Sequence, residues 1–456
     1  MFSIIVIKFK GGGIAPGVSR AVEIETDNHL PDEVEVVVIG GGFIGCSTAL
    51  NLAERGVSVA LCEKGAIAGE ASGRAAGLVE YEHLSPIKME LIARSMELWR
   101  EMPERVNADI GYTGPGLVTL YKDEKPALAA KQWIDSMQGI TAMQARMLAA
   151  NEINSIDPAL GSDWHSALYQ PNGAAIEPRL AAPAIASRAQ EKGAKLIQNC
   201  AVRTIERQAG KIHSVITEQG EIKTSNVVIA GGTWSSSLAA QLDLKLPQLM
   251  IFAEMISVEP LSDGPAIAGM TPAGYFRPQT DGGYSFGTAA GVIPITPSIL
   301  KNLRDLMSMP TDVDQEILPA LSLSTFLREM KANRKQAADS LSIYEQHRIL
   351  QPEFVGNTSS AMVEGMREYI PAFADVKIRE RYTGSLFASM DNLGVISSVK
   401  SIPGLYLGTG LLYGLTTGAA TGEALADMIT GKKTRIDVSP YRYERFIDGS
   451  KFEFHP

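Results

Sequence analysis

The chain has 456 residues, 45% of them hydrophobic and 20% charged, with 42 Lys and Arg against 51 Asp and Glu. That length buries large cores and implies two domains, contiguous or interleaved, while a net charge of −9 without a basic run excludes nucleic acid as a natural partner. Cys46, Cys62 and Cys200 are scattered, and the six histidines show no ligand spacing, so neither a disulfide framework nor a metal centre is expected.

At the N-terminus only Phe2–Ile7 is apolar before Lys8 and Lys10 intervene. A spanning helix needs ~20 apolar residues, so no complete transmembrane helix is expected, and the location is cytoplasmic or peripheral to a membrane. Phe2–Phe9 fits the remnant of an anchor or a small edge strand, and residues 1–33 form an N-terminal arm.

An apolar run, Val34–Ile39, leads into Gly40-Gly41-Gly42-Phe43-Ile44-Gly45, and a second run, Val57–Cys62, ends at Glu63. This order predicts a dinucleotide-binding βαβ unit. Gly40 permits the tight turn, Gly42 lets backbone approach a pyrophosphate, and Gly45 lets helix pack on strand. The phosphates face the helix N-terminus at Phe43 and Ile44, where free N–H groups and the macrodipole stabilise negative charge. Glu63 accepts hydrogen bonds from the ribose hydroxyls. Beyond it, Lys64 opens a small, polar, glycine-rich stretch that includes Ser72, Gly73, Arg74, Ala76, Gly77 and Leu78. Such a loop lies flat against an extended diphosphate and flavin, so FAD is expected rather than NAD. With no Cys or His in Ser72–Leu78 or Leu411–Thr416, the cofactor is expected to be noncovalent.

Ser85-Pro86 starts a helix running to about Met102, Gly116–Tyr121 is a strand, and Glu124–Met137 and Thr141–Ala150 are expected helices. Pro178–Gly193 is an alanine-rich helix, and Leu249–Val258 and Gly283–Gly287 are strands of a second sheet. Leu300, Leu303, Leu306, Met307, Phe326, Leu327 and Met330 form amphipathic helices, with a basic face from Arg328, Lys331, Arg334 and Lys335. That face is either solvated and packed on the substrate domain or a surface for lipid or quinone access.

The Lys64–Gly77 loop resembles the flavin-contacting segment of the D-amino-acid oxidase-like flavoproteins. Cys200–Arg203 with Val202, and Val227–Trp234 with Gly231 and Trp234, resemble that family's adenine-flanking strand and second glycine turn; Gly404–Gly431 resembles its closing strand and helix. Asn51–Gly56, Ile67–Glu70, Gln208–Gly210, Ile222–Ser225, Phe276-Arg277 and Thr409–Lys433 are closest to the membrane-associated L-amino acid deaminases of the Proteus type. The resemblance implies an α/β protein: a Rossmann-like FAD-binding domain interleaved with an α+β, mixed-sheet substrate domain and an inserted helical module. The expected division is 34–85, 150–240 and 375–440 for FAD, 86–149 and 241–374 for substrate with the insertion at about 291–372, and 441–456 as a tail.

It also implies oxidation of an amino acid to a keto acid and ammonia, by hydride transfer from Cα to the flavin. The electrons then pass to a respiratory-chain quinone or to oxygen. The backbone of Leu412, Tyr413, Gly414, Leu415 and Thr416, ahead of a helix Gly418–Ile429, suits the flavin's pyrimidine end. Arg277 matches a deaminase arginine that anchors the substrate carboxylate through its two-pronged guanidinium, and Tyr413 falls where the relatives wall the pocket with an aromatic. Glu80 and Glu254 stand where the deaminases carry an apolar residue and an amide. If both face the cavity they favour a cationic side chain or a second amine; otherwise they are ion-paired with Arg74 or another basic residue. Two other readings stand beside the deaminase: a D-amino acid or secondary-amine oxidase on the same fold, and a non-catalytic FAD-binding redox subunit.

Overall fold

The structure is a computed structural model and describes residues 20–81, 84–114, 116–137, 139–140, 144–288, 291–303, 317–352 and 358–456. Phe2–Phe9, Leu306 and Met307 lie outside the described residues.

Val36–Ile39 is buried on both faces, which is why it is apolar without alternation. Val36 and Val38 enter a core shared with Cys46, Ala49 and Leu50 of the Phe43–Ala53 helix, whereas Val37 and Ile39 enter a second core with Ile205, Val215 and Ile222. The strand pairs in parallel with Val59–Cys62 on one side and Asn226–Ile229 on the other. Lys195–Ile197 and Leu405–Thr409 extend this parallel sheet, and Val395–Ser398 closes it as an antiparallel edge. The Gly414–Ile429 helix packs against Phe43–Ala53 at a contact only glycine allows: a Cβ on Gly422 would come within 2.5 Å of the Ser47 Cβ and 2.6 Å of the Thr48 amide nitrogen.

The second sheet has ten strands built around an antiparallel ladder between Gln248–Val258 and Ile378–Ser389. Tyr284–Gly287, Gly274–Pro278, Ala268–Thr271, Leu117–Tyr121, Ser166–Gln170 and Arg146–Ala149 continue it in that order. Phe276, Tyr284 and Phe286 pack edge-on or tilted around Phe373, forming its core on the face away from the nucleotide unit. Gly291–Pro294 and Ile317–Ala320 add a parallel pair to the other edge, so the expected insertion contributes strands as well as the helices Pro297–Lys301, Leu323–Ala332, Ile343–Gln346 and Thr358–Tyr369.

Several expected elements differ. Within Thr141–Ala150, Arg146–Ala149 is a strand paired with Ser166–Gln170 and the helix begins only at Ala150; the local alanines favour helix, but the neighbouring strand supplies backbone partners. The Ser85-Pro86 helix starts as a 3-10 turn, then runs from Met89 to Val106, where Asn107 terminates it in the left-handed region. Ser166–Gln170 and Ile378–Ser389 pair in the large sheet, although the sequence division places both on the nucleotide side. The N-terminal arm is docked from Arg20 onward: the Val22 amide donates to the Arg179 carbonyl at 3.0 Å, and the Arg20 guanidinium pairs with Glu380 at 2.6 Å over the Tyr382 ring.

Candidate functional site

Gly40 ends the first strand with φ 110°, and a Cβ on Gly45 would sit 1.8 Å from the Gly40 carbonyl oxygen, so the turn and the helix start are glycine-dependent at both positions. Gly42 caps the Phe43–Ala53 helix with no side chain of its own. Ser72 from the following loop reaches that helix end instead: its Oγ accepts from the Phe43 amide at 3.1 Å and lies 2.9 Å from where a Gly42 Cβ would be. Glu63 stands just past the second strand, its two carboxylate oxygens accepting from the amides of Gly41 at 2.7 Å and Gly65 at 2.8 Å. Burial pushes the Glu63 carboxyl up from its ordinary range, against the opposing pull of Lys64 and these amides.

A cavity of about 300 Å³ runs along these residues. One part is lined by Gly40, Gly42, Phe43, Ile44, Glu63, Lys64, Val202, Gly231 and Trp234, joined by Cys62, Cys200 and Tyr344. Here the Lys64 ammonium uses its three donors on Glu70 at 2.6 Å and on the His347 and Arg348 carbonyls at 2.7 Å. The Trp234 indole donates to Glu70 at 3.1 Å. Burial raises the Glu70 carboxyl, but Lys64, Trp234 and the Leu350 amide outweigh it and hold the group below its ordinary value. Residues 347–350 thereby fasten the inserted segment to the loop after Glu63.

The other part is lined by Ser72, Ala76, Gly77, Leu78, Glu80 and Leu412–Thr416, facing Ile251, Ala253, Met270, Tyr275 and Ser385–Phe387 of the large sheet. The last helix starts at Gly414, four residues earlier than expected, so Gly414, Leu415 and Thr416 are its first turn and their amides have no carbonyl four residues back within the helix. Tyr413 lines the wall beside them. Glu80 is held by its own amide, which donates to Thr416 Oγ1 at 3.4 Å.

Two expected substrate residues lie elsewhere. Arg277 is 2% exposed and does not line the cavity. All five of its N–H groups are committed: Nε to the Ala76 carbonyl at 2.9 Å, one N–H from each terminal nitrogen to Glu177 at 3.2 Å, and the remaining two to the Pro278 carbonyl and Ser285 Oγ. The guanidinium therefore has no donor for a substrate carboxylate in this arrangement. Glu254 is 3% exposed and accepts from the Ser359 amide at 3.0 Å, at the N-terminus of the Thr358–Tyr369 helix, where a carboxylate is favourable. Of the cofactor residues, Gly45, Gly73 and Arg74 lie behind the cavity wall. The Arg74 guanidinium donates to the Leu350 and Thr383 carbonyls at 2.8 and 3.1 Å, so its reach is toward the large sheet and not toward Glu80.

The chain matches the family described as FAD dependent oxidoreductase over residues 35–428. It belongs to that family. L-Amino acid deaminase from Proteus myxofaciens, solved in complex with anthranilate, is similar in structure, with a TM-score of 0.89 and 33% identity over 96% of this chain and 98% of that one. Glycine oxidase from Pseudomonas aeruginosa is 26% identical, covering 89% of this chain and 97% of that protein. Mitochondrial sarcosine dehydrogenase from Mus musculus is 23% identical over 91% of this chain, and the chain spans 42% of that relative's length.

That family is FAD-dependent. The residues fit the cofactor: a glycine cradle at Gly40–Gly42 that a Cβ would fill, an acid at Glu63 lining the cavity, and the open first turn of the last helix at its far part. Sequence reasoning missed Tyr275, Ile251, Ala253 and Met270 as wall residues. Tyr275 carried a signal, since it shares a strand face with Arg277 two residues on, and that face meets the flavin loop.

Proposed function

We propose that the protein oxidises the C–N bond of an amino acid or related amine, with FAD held noncovalently. The continuity of the cavity, from the glycine cradle into a chamber walled by the large sheet, supports this reading, together with the deaminase likeness. Bound there, the flavin supplies a hydride acceptor. Tyr413, Leu412, Ile251 and Ala253 line the chamber and would hold the substrate carbon against the bound flavin and keep water from it. Amides of the Gly414–Ile429 first turn, with the positive end of that helix, would stabilise negative charge on the bound flavin. Loss of hydride from Cα of a neutral amine leaves an imine, and water hydrolyses it to a carbonyl product and ammonia.

Anaerobic addition of a panel of L- and D-amino acids and secondary amines is expected to bleach the flavin with at least one of them and to yield ammonia or a primary amine. Acid precipitation is expected to release all the FAD. A flavin that no amine reduces overturns the enzyme reading, and flavin retained in the precipitate overturns the noncovalent one.

The electron acceptor is proposed to be a membrane quinone reached by peripheral attachment. No helix among the described residues is long and apolar enough to cross a membrane. Leu323 is 68% and Leu300 54% exposed, Leu303, Leu327 and Met330 are also exposed, and the Leu323–Ala332 helix carries Arg328 and Lys331. Exposed apolar side chains on a helix that also carries cations suit an anionic bilayer surface. Cosedimentation with anionic but not zwitterionic vesicles is expected, with loss on Leu323→Ser together with Lys331→Glu; equal sedimentation with and without anionic lipid rejects the attachment.

A further inference from the structure

We propose that residues 345–350 are a clasp on the cofactor: closed, they lock the loop after Glu63 against the nucleotide part of the cavity, and their opening sets the rate at which FAD leaves. The inference rests on the noncovalent retention of FAD proposed above and not on the oxidation of an amine.

The segment is held at two places. At the loop after Glu63, the Lys64 ammonium donates to the His347 and Arg348 carbonyls at 2.7 Å, Arg348 Nη1 returns a bond to the Lys64 carbonyl at 2.7 Å, and the Leu350 amide donates to Glu70 at 2.8 Å. At the second place Arg348 pairs with Glu218 through both terminal nitrogens, at 2.8 and 2.5 Å, and Arg203 pairs with Glu345 through Nε and Nη2, each at 2.9 Å. Glu218 also accepts from the Ala201 amide at 2.7 Å, so this attachment is made where the Val202–Gln208 strand begins. Lys64, Glu70 and Val202 line the cavity, as does Tyr344, the residue before the segment. One short stretch of chain therefore ties together wall residues from separate elements.

Loop and segment meet at glycines. A Cβ on Gly65 would lie 2.5 Å from the Arg348 carbonyl oxygen, and one on Gly69 would lie 3.2 Å from Ile349 Cγ1. Trp234, another wall residue, stands edge-on to Tyr344 at 5.7 Å and nearly parallel to His347 at 6.3 Å. These contacts are of a kind that opens. Ile343, Tyr344 and Leu350 are buried, whereas residues 346–349 are exposed or half-buried, so ion pairs and carbonyl contacts hold the stretch between, and it parts from the loop without uncovering a core. The hydrogen bond from Arg203 holds the Glu345 carboxyl down at about 2, which keeps this pair charged at neutral pH. Neither the Glu345 nor the Arg348 side chain lines the cavity, so their effect on FAD passes through the segment.

Three variants of the FAD-loaded protein test the clasp. Arg348→Ala removes an attachment at both places, Glu345→Gln keeps the cap on Ser342 but not the charge facing Arg203, and Gly65→Ala pushes the Arg348 carbonyl off the loop. Each is expected to release FAD at least about tenfold faster than wild type, the effect of one lost charge-assisted contact, read as flavin fluorescence appearing after dilution, with FAD uptake no slower. Release at the wild-type rate by both Arg348→Ala and Gly65→Ala overturns the clasp, and so does faster release matched by slower uptake, which marks a damaged site. Hydrogen exchange needs no variant. In cofactor-free chain from riboflavin-limited cells, amides of residues 345–350 are expected to exchange at least about tenfold faster than in the FAD-loaded protein, while the ladder between Gln248–Val258 and Ile378–Ser389 keeps its rate; equal exchange at residues 345–350 overturns the clasp. Flavin that stays with the acid-precipitated protein overturns noncovalent retention alone, and the exchange comparison, which involves no release, then decides whether the segment closes on the cofactor.

Discussion

Replacing Glu63 by Arg is expected to abolish FAD retention. The Glu63 carboxylate sits at the end of the Val59–Cys62 strand, where it shapes the cradle by accepting from the Gly41 and Gly65 amides and lines the cavity at the place where a ribose would lie. The two hydrogen bonds that the carboxylate would accept from the ribose hydroxyls are worth about 1.5–3 kcal/mol each, so their loss lowers affinity by roughly two to four orders of magnitude. An arginine would also face Lys64, whose three donors are already engaged, and would leave both loop amides without their acceptor. Glu63→Gln keeps the shape and an acceptor oxygen but not the charge, and is expected to fall between. The ratio of FAD to protein after desalting measures both, and full retention by the arginine variant would move ribose binding to another residue.

The nucleotide unit was legible because its determinants are local. Strand, glycine turn, helix and terminal acid follow one another within one stretch of chain, and each glycine answers a backbone demand that only glycine meets, as the Gly45 contact with the Gly40 carbonyl shows. The substrate chamber was legible only as a set of residue types. Arg277 has the chemistry of a carboxylate anchor, but its partner Glu177 lies at the start of the Pro178–Glu191 helix, far away in sequence, and nothing local reveals that two elements meet there. Glu254 falls in the expected Leu249–Val258 strand, yet its contact with the Ser359 amide depends on a helix that begins over a hundred residues later. Ser166–Gln170 and Ile378–Ser389 join the large sheet for the same reason: strand partners are chosen by tertiary packing, and local propensity does not name them.

Arg277→Ala is expected to act on stability and cofactor retention, not on substrate affinity. Its guanidinium joins three elements, the Gly274–Pro278 strand, the flavin-loop carbonyl of Ala76 and the helix-capping carboxylate of Glu177. A Cβ on Gly77 would lie 2.3 Å from the Arg277 Nε, so loop and arginine are packed as one unit. Removing one partner of a buried ion pair costs about 3–5 kcal/mol, because the other charge stays buried. Glu177 keeps Arg179 at 3.2 Å, so the lower end of that range is expected. Burial raises the Glu177 carboxyl, but Arg277 and Arg179 outweigh it and hold the group below its ordinary value. The pair's contribution is therefore complete above the ordinary glutamate pKa of about 4.3 and fades as pH falls below it. Wild type should lose stability over that acid range, and Arg277→Ala, already without the pair, should lose less. In calorimetry at neutral pH the variant should melt earlier than wild type and hold less FAD, while the fraction that keeps FAD shows an unchanged half-saturating substrate concentration. A rise of about tenfold or more in that concentration, at wild-type melting temperature, would show that the guanidinium leaves Glu177 to grip the substrate carboxylate, and the anchor expected from sequence would be restored.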